Sequence, residues 1–326
     1  MGVAATGASR SQLDLLTEQR VGSVILMGNT SASVRGVRDV TDTVRSAARQ
    51  PDGVGVMVGV DQEGGQVRRL RGSGFSEMPS AATQATWSDA TLTSRTTRWA
   101  EELGQAGVDA DFAPVADVVP ASVGDRNRPI GAIDRGYGAD PEVVGDKVAA
   151  FVQGMHAGDQ AVAVKHFPGL GRVTGNTDFA RKVVDSSTTR DDPLLGGFDA
   201  GQDAGADMIM VSTAYYTKID ADSPAAFSST VITGMLRQDR DYDGVVVSDD
   251  LGVAQAVSDL EPGDRAIRFL AAGGDLVINV DPSTTDDMVR AVTAEARSDP
   301  AFAERVRASA GRVLTMKGAY GLARCG

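Results

Sequence analysis

A closed (β/α)8 barrel is the architecture this sequence predicts, and three observations carry the prediction. Eight apolar runs of strand length alternate with stretches of helical spacing along 326 residues, with no linker or low-complexity segment between them. The runs are continuously apolar, the pattern of parallel strands covered on both faces. Polar, chemistry-bearing side chains stand where the runs stop, at the ends that would line the mouth of such a barrel. An open, doubly wound sheet is the competing arrangement.

The elements follow in order. Residues 2–5 form a short first run, followed by helical spacing over 11–20. Residues 21–27 make a strand ending at Gly28-Asn29-Thr30, and 33–50 are again helical. The run 54–60 stops at Asp61-Gln62-Glu63-Gly64-Gly65. After a helix over 91–105, a strand over 108–112 closes on Ala113-Pro114-Val115-Ala116-Asp117. The irregular stretch 118–139 carries Asp125, Arg126, Arg128, Asp134 and Arg135, and Pro141, with its fixed φ, opens the next helix. The run from Ala161 ends abruptly in Lys165-His166, and Phe167-Pro168-Gly169-Leu170-Gly171 then forbids regular structure. A helix over 193–205 leads to a strand over 207–211 with Tyr215 just beyond it. A helix over 228–240 leads to a strand over 244–248 ending in Asp249-Asp250-Leu251. Then come a helix over 264–272, a strand over 275–280 ending near Asn279, and helices over 284–296 and 301–320.

Composition narrows the chemistry. Hydrophobic residues make up 42% of the chain and charged ones 23%, enough to build a large core. A formal net charge of −12 argues against nucleic acid or an anionic membrane as partner, because both require a basic face. The only cysteine is Cys325 and the only histidines are His156 and His166, so a disulfide within the chain and a Cys- or His-rich metal centre are excluded. No metal and no cofactor is expected. No apolar run approaches the roughly 20 residues of a membrane span. Residues 2–5 read as the middle of a strand with nothing before it, so a trimmed N-terminus is the expectation and the compartment stays open between the cell envelope or exterior and the cytoplasm, with a monomer as the default state.

The predicted mouth collects Asp61, Asp117, Lys165, His166, Tyr215, Asp249 and Asn279. Gly169-Leu170-Gly171 is too short for a dinucleotide fingerprint, no phosphate-binding GK[ST] sequence occurs, and Ser248 lacks the elbow of an acyl-transfer serine. What remains is a rigidly held carboxylate among groups able to hold a polyhydroxylated ligand. Asp249 suits attack on an anomeric carbon, with Lys165 and Arg135 expected nearby to keep it ionised, while Asp250 fits a capping role. An aldolase using Lys165 as a Schiff base and a silent sugar-binding barrel are the readings from other classes.

Three motifs then carry a resemblance: Asp61-Gln62-Glu63-Gly64-Gly65, Lys165-His166-Phe167-Pro168-Gly169 and Ser248-Asp249-Asp250-Leu251, in that order and spacing. The chain resembles the glycoside hydrolase family 3 β-N-acetylglucosaminidases over nearly its whole length. The resemblance implies a single barrel across residues 1–326 and retaining hydrolysis of terminal N-acetylglucosamine from cell-wall fragments or chitin oligosaccharides. It implies Asp249 as nucleophile, and Asp61, Arg69, Arg135, Lys165 and His166 as sugar contacts. One departure stands out: where the family carries Asp-Ser-His on the loop after the Lys-His strand, this chain has Asn176-Thr177-Asp178. Asp178 is the expected substitute for the acid and base histidine, its pKa raised by burial or by Asp249. Tyr215, where relatives carry His, is assigned to the substrate-binding rim. The same barrel could also host a phosphorylase or a β-glucosidase, but an ionised Asp178 would repel phosphate, so water is the expected acceptor.

Overall fold

The apolar runs form eight parallel strands in the computed structural model, which describes residues 1–48 and 53–323. Gln50, at the end of the second expected helix, and Cys325 lie outside the described residues. The strands are β1 (Gly2–Ala4), β2 (Ser23–Met27), β3 (Met57–Val60), β4 (Ala110–Asp111), β5 (Ala161–Phe167), β6 (Met208–Val211), β7 (Val245–Asp250) and β8 (Leu276–Ile278). Each pairs in parallel with the next, and the Gly2 amide donates to the Asn279 carbonyl at 2.8 Å, which brings β8 back to β1 and closes the barrel.

A helix follows each strand: α1 (Arg10–Glu18), α2 (Val34–Ala47), α3 (Asp89–Gln105), α4 (Pro141–Ala157), α5 (Gly196–Asp203), α6 (Thr230–Gln238), α7 (Pro262–Ala272) and α8 (Thr285–Ser298), with α9 (Pro300–Ala319) added at the end. Ser9 opens α1 with a reciprocal capping box, and Asp140 caps α4 ahead of Pro141. α6 is wound as a π-helix, which hydrophobic spacing does not distinguish from an α-helix. β4 is shorter than its apolar run, although the Asp109 and Phe112 amides on either side of it still donate to the Val58 and Val60 carbonyls at 2.8 Å. β5 is longer, extending through Lys165 and His166 to Phe167. Two small sheets had no apolar signature: Gln62–Gly64 with Val67–Arg68, and Tyr215–Tyr216 between Val184–Asp185 and Asp220–Pro224.

Strand periodicity decides what enters the barrel. Met57, Ala161, Ala163, Val245 and Val247 pack inside it, while Val58, Val162, Val164 and Val246 join the shell of helices outside. Gly59 has no side chain because a Cβ there would lie 2.6 Å from the Phe112 ring that fills the interior. Continuing the inward series two residues at a time reaches Asp61 just past β3, Lys165 on β5 and Asp249 on β7. The same alternation that builds the core therefore aims three charged groups into the mouth.

The opposite end is closed by a repeated device. Asp109, Asp207 and Asp275, each just before or at the start of an even-numbered strand, accept the amides of Val58, Val162 and Val246 at 2.7, 2.9 and 2.8 Å on the preceding strand. Arg45 pairs with Asp109, His156 and Tyr320 contact Asp207, and Arg237 and Arg312 pair with Asp275. Asp275→Ala would leave the Arg237 guanidinium, 14% exposed, without its carboxylate. A loss of about 3–5 kcal/mol is expected, read as a lower urea midpoint at unchanged slope. An unchanged midpoint would contradict a structural role for this pairing.

Candidate active site

Lys165 is the centre of the mouth. Only 2% of its side chain is exposed, and its Nζ lies 2.7 Å from Asp61 Oδ1 and 2.6 Å from Glu63 Oε1. A cation so placed is tolerable only with its charge matched. Burial pulls its pKa down, but Asp61 and Glu63 outweigh that and raise it, so Lys165 is held as an ammonium. That state argues against a Schiff-base lysine, which must be free and uncharged to attack a carbonyl.

Glu63 is shared. Its two oxygens receive Arg135 Nη2 and Nε, both at 2.7 Å, in a fork that burial would oppose but that Arg135 and Lys165 together sustain, holding Glu63 well below the usual carboxylate range. Arg135 is brought there by the irregular segment after β4, and its Nη1 also donates to the Pro129 carbonyl at 2.8 Å. Gly64 must lack a side chain: its φ is +103° and a Cβ would meet the Pro79 carbonyl at 2.1 Å. The chain can thus turn sharply after Glu63 and bring Arg69 back beside the loop after β2, where Arg69 Nη1 donates to Asn29 Oδ1 at 3.3 Å.

His166 is oriented from behind. Asp117, fully buried, lies 2.8 Å from His166 Nδ1 through Oδ2, while its Oδ1 accepts the Leu170 amide at 2.7 Å. Nε2 is left facing Arg135 Nη2 at 3.4 Å. The Lys165–His166 peptide is cis, as are Ala113–Pro114 and Phe167–Pro168.

Asp249 ends the inward series of β7, and its Oδ1 accepts the Asp250 amide at 2.8 Å. Asp250 turns away and is structural, each of its oxygens accepting two amides, from Gly252 and Val280 and from Val253 and Ala254. Lys165 and Arg135, expected near Asp249 to keep it ionised, make their direct ion pairs with Asp61 and Glu63 instead. Asn279 is corrected too, being bonded to Thr285 and the Asp281 amide as a brace for the loop after β8.

Asp178 sits on the loop after β5, pinned over the β7 side of the mouth. The Gln255 amide donates to the Asp178 carbonyl at 3.3 Å and the Ala256 amide to that of Thr177 at 3.1 Å, while the Asp178 amide donates to Asn176 Oδ1 at 2.8 Å. Protein atoms crowded around its carboxyl strip it of water and the charge of Asp249 opposes ionisation, which together push it up to about 6 against the pull of Arg135 and His166. The outer side of the residue remains exposed. Tyr215 lies at the rim, its amide on the Val183 carbonyl at 2.9 Å and its ring under Lys182 at 4.7 Å.

Residues 3–316 match the Glycosyl hydrolase family 3 N terminal domain. This chain belongs to glycoside hydrolase family 3. It is 35% identical over 303 residues to a β-hexosaminidase of Stenotrophomonas maltophilia, covering 90% of this chain and 86% of that one. The solved β-N-acetylhexosaminidase of Beutenbergia cavernae shares 44% identity at a TM-score of 0.95, covering 97% of this chain and 95% of its own. A family 3 β-N-acetylglucosaminidase of Paenibacillus shares 27% at a TM-score of 0.87, with this chain spanning 62% of it. The family 3 chain is therefore a glycosidase on a (β/α)8 barrel, and these relatives are hexosaminidases.

Glu63 and Asp117 are the site members that sequence reading left without a role. Glu63 stood within a quoted motif and Asp117 at a strand end already placed in the mouth. The signal that could have found them is charge: a lysine inside an apolar strand needs carboxylates, and a histidine beside it needs an acceptor at Nδ1.

Proposed function

We propose that this family 3 barrel is a retaining β-N-acetylglucosaminidase in which Asp249 is the nucleophile and Asp178 the acid and base. Asp61, Lys165, Arg135, His166 and Arg69 hold the sugar in the −1 position, and Tyr215 borders the entrance. Asp61 gives Oδ1 to Lys165, leaving Oδ2 to accept sugar hydroxyls. In the first step an Asp249 oxygen bonds to C1 as the C1–O bond breaks, and the proton of Asp178 passes to the leaving oxygen. In the second step Asp178, now ionised, takes a proton from water as that water bonds to C1 and Asp249 departs.

The observation that carries this reading is the position of Asp178: its loop is tied to the loop after β7, and burial and the charge of Asp249 raise its pKa to about 6, so that it keeps its proton well above the ordinary carboxylate range, as a general acid must. The same carboxylate, once ionised, would repel a phosphate dianion arriving in the second step, and the mouth's two buried cations are already matched by Asp61 and Glu63. Water is therefore the acceptor. The natural substrates would be cell-wall fragments or chitin oligosaccharides ending in β-linked N-acetylglucosamine.

Product analysis by NMR tests this. Nitrophenyl N-acetyl-β-glucosaminide in phosphate buffer is expected to yield the β-anomer of N-acetylglucosamine first and no sugar phosphate, with the corresponding glucoside turned over far more slowly. Accumulation of N-acetylglucosamine 1-phosphate, or initial formation of the α-anomer, would contradict it.

A further inference from the structure

Phe179 is 82% exposed, the most exposed large hydrophobic side chain among the described residues. A single exposed apolar residue ordinarily needs no explanation, so its place rather than its exposure is informative. It follows Asp178 directly, and its amide donates to the Asn176 carbonyl at 3.1 Å, which makes 176–179 a turn with the acid and the ring as neighbours. The turn is tied to the loop after β7 by the Gln255 and Ala256 amides. On that loop Val253 is 55% exposed. The loop reaches back through Val253 to Asp249, four residues earlier. By contrast, the nearby Tyr215 has its ring face covered by Lys182 at 4.7 Å.

Chemistry fixes what lies beside such a ring. A proton donor must point at the glycosidic oxygen, and everything beyond that oxygen is the leaving group. A side chain next in sequence to the donor, on the solvent side, is therefore next to the leaving group and away from the sugar that Asp249 attacks. The ring C–H faces of a pyranose, or an aryl group, are apolar surfaces that an aromatic ring can cover.

Resting on the assignment of Asp178 as acid, we propose that Phe179 is the platform for the leaving group and selects substrates whose first leaving unit presents a flat apolar face, a pyranose or an aryl ring. The group it contacts departs with the proton of Asp178 on its oxygen as Asp249 bonds to C1. Phe179 holds that group in line for the transfer and takes no part in the second step, when the leaving group has gone.

The test compares substrates with and without a leaving ring. N,N′-diacetylchitobiose carries one; N-acetyl-β-glucosaminyl fluoride does not, and fluoride leaves without needing a proton. For Phe179→Ala, kcat/KM on the disaccharide is expected to fall about tenfold and on the fluoride less than about twofold, with Phe179→Trp restoring the disaccharide rate. Equal losses on both substrates, or a loss of about tenfold on methyl N-acetyl-β-glucosaminide, whose leaving group needs the proton of Asp178 but carries no ring, would mean that the ring only shapes the loop, and no loss on any of them would mean that it touches nothing. Both results overturn the proposal. Failure of the unmutated chain to turn over even the fluoride would instead overturn the glycosidase assignment beneath it.

Discussion

Asp249→Ala is expected to lower kcat/KM on nitrophenyl N-acetyl-β-glucosaminide by about 10⁴-fold or more, with binding of N-acetylglucosamine retained. The argument is geometric. Asp249 is third in an inward series whose first two members, Val245 and Val247, are clamped in the barrel interior, so its carboxylate is delivered by a rigid strand. Its one hydrogen bond among the described residues is from the Asp250 amide, whereas the residues proposed to hold the sugar, Lys165 and Arg135 among them, are fixed by their own ion pairs to Asp61 and Glu63. Removing the carboxylate therefore deletes the nucleophile without loosening the clamp or the fold. Calorimetry on the variant separates the two: intact sugar binding with no turnover supports the division, while lost binding would contradict it. The silent-binder reading predicts no turnover even before mutation.

Asp178→Ala is expected to lose about 10²–10⁴-fold on substrates with poor leaving groups and much less on a dinitrophenyl glycoside, which departs without a proton. Added azide should then restore turnover of the activated substrate and yield the β-glycosyl azide, since a small anion needs no general base. The unmutated residue also sets the pH profile. Its folded pKa is raised to about 6 from an ordinary 3.8, so the acid form required in the first step is lost as pH climbs through about 6, and kcat/KM falls above that point. The same shift acts on stability. Ionising Asp178 costs the folded state more than the unfolded one, so the penalty grows between the unfolded and folded pKa values and is complete above about 6. Asp178→Asn should therefore unfold at a higher temperature than the unmutated chain at pH 7, a gain at the expense of activity.

How far the sequence could be read depended on whether a feature lies along one strand or between several. Asp61, Lys165 and Asp249 were legible because each ends an apolar run, and strand alternation places them in the mouth without knowledge of any partner. The fold was legible for the same reason. Asp178 was singled out by its place in a loop motif whose three residues all differ from the family's, the histidine being replaced by a carboxylate. The ion-pair assignments were not legible: nothing along the chain says that Lys165 turns to Asp61 and Glu63 rather than to Asp249, since this depends on which strand ends face one another across the barrel. Asn279 misled because a strand-end amide can brace its own loop as readily as face a ligand. The three basal aspartates were invisible for the same reason, each serving a neighbouring strand rather than its own.

The replacement of the family's histidine by Asp178 is the central claim, and the pH dependence of kcat/KM on nitrophenyl N-acetyl-β-glucosaminide for the unmutated chain and Asp178→Asn tests it most directly. An alkaline limb near pH 6 that disappears in the variant is the result this mechanism requires. The same limb persisting in Asp178→Asn, or a variant as active as the unmutated chain, would place the acid elsewhere and leave the loop without its role.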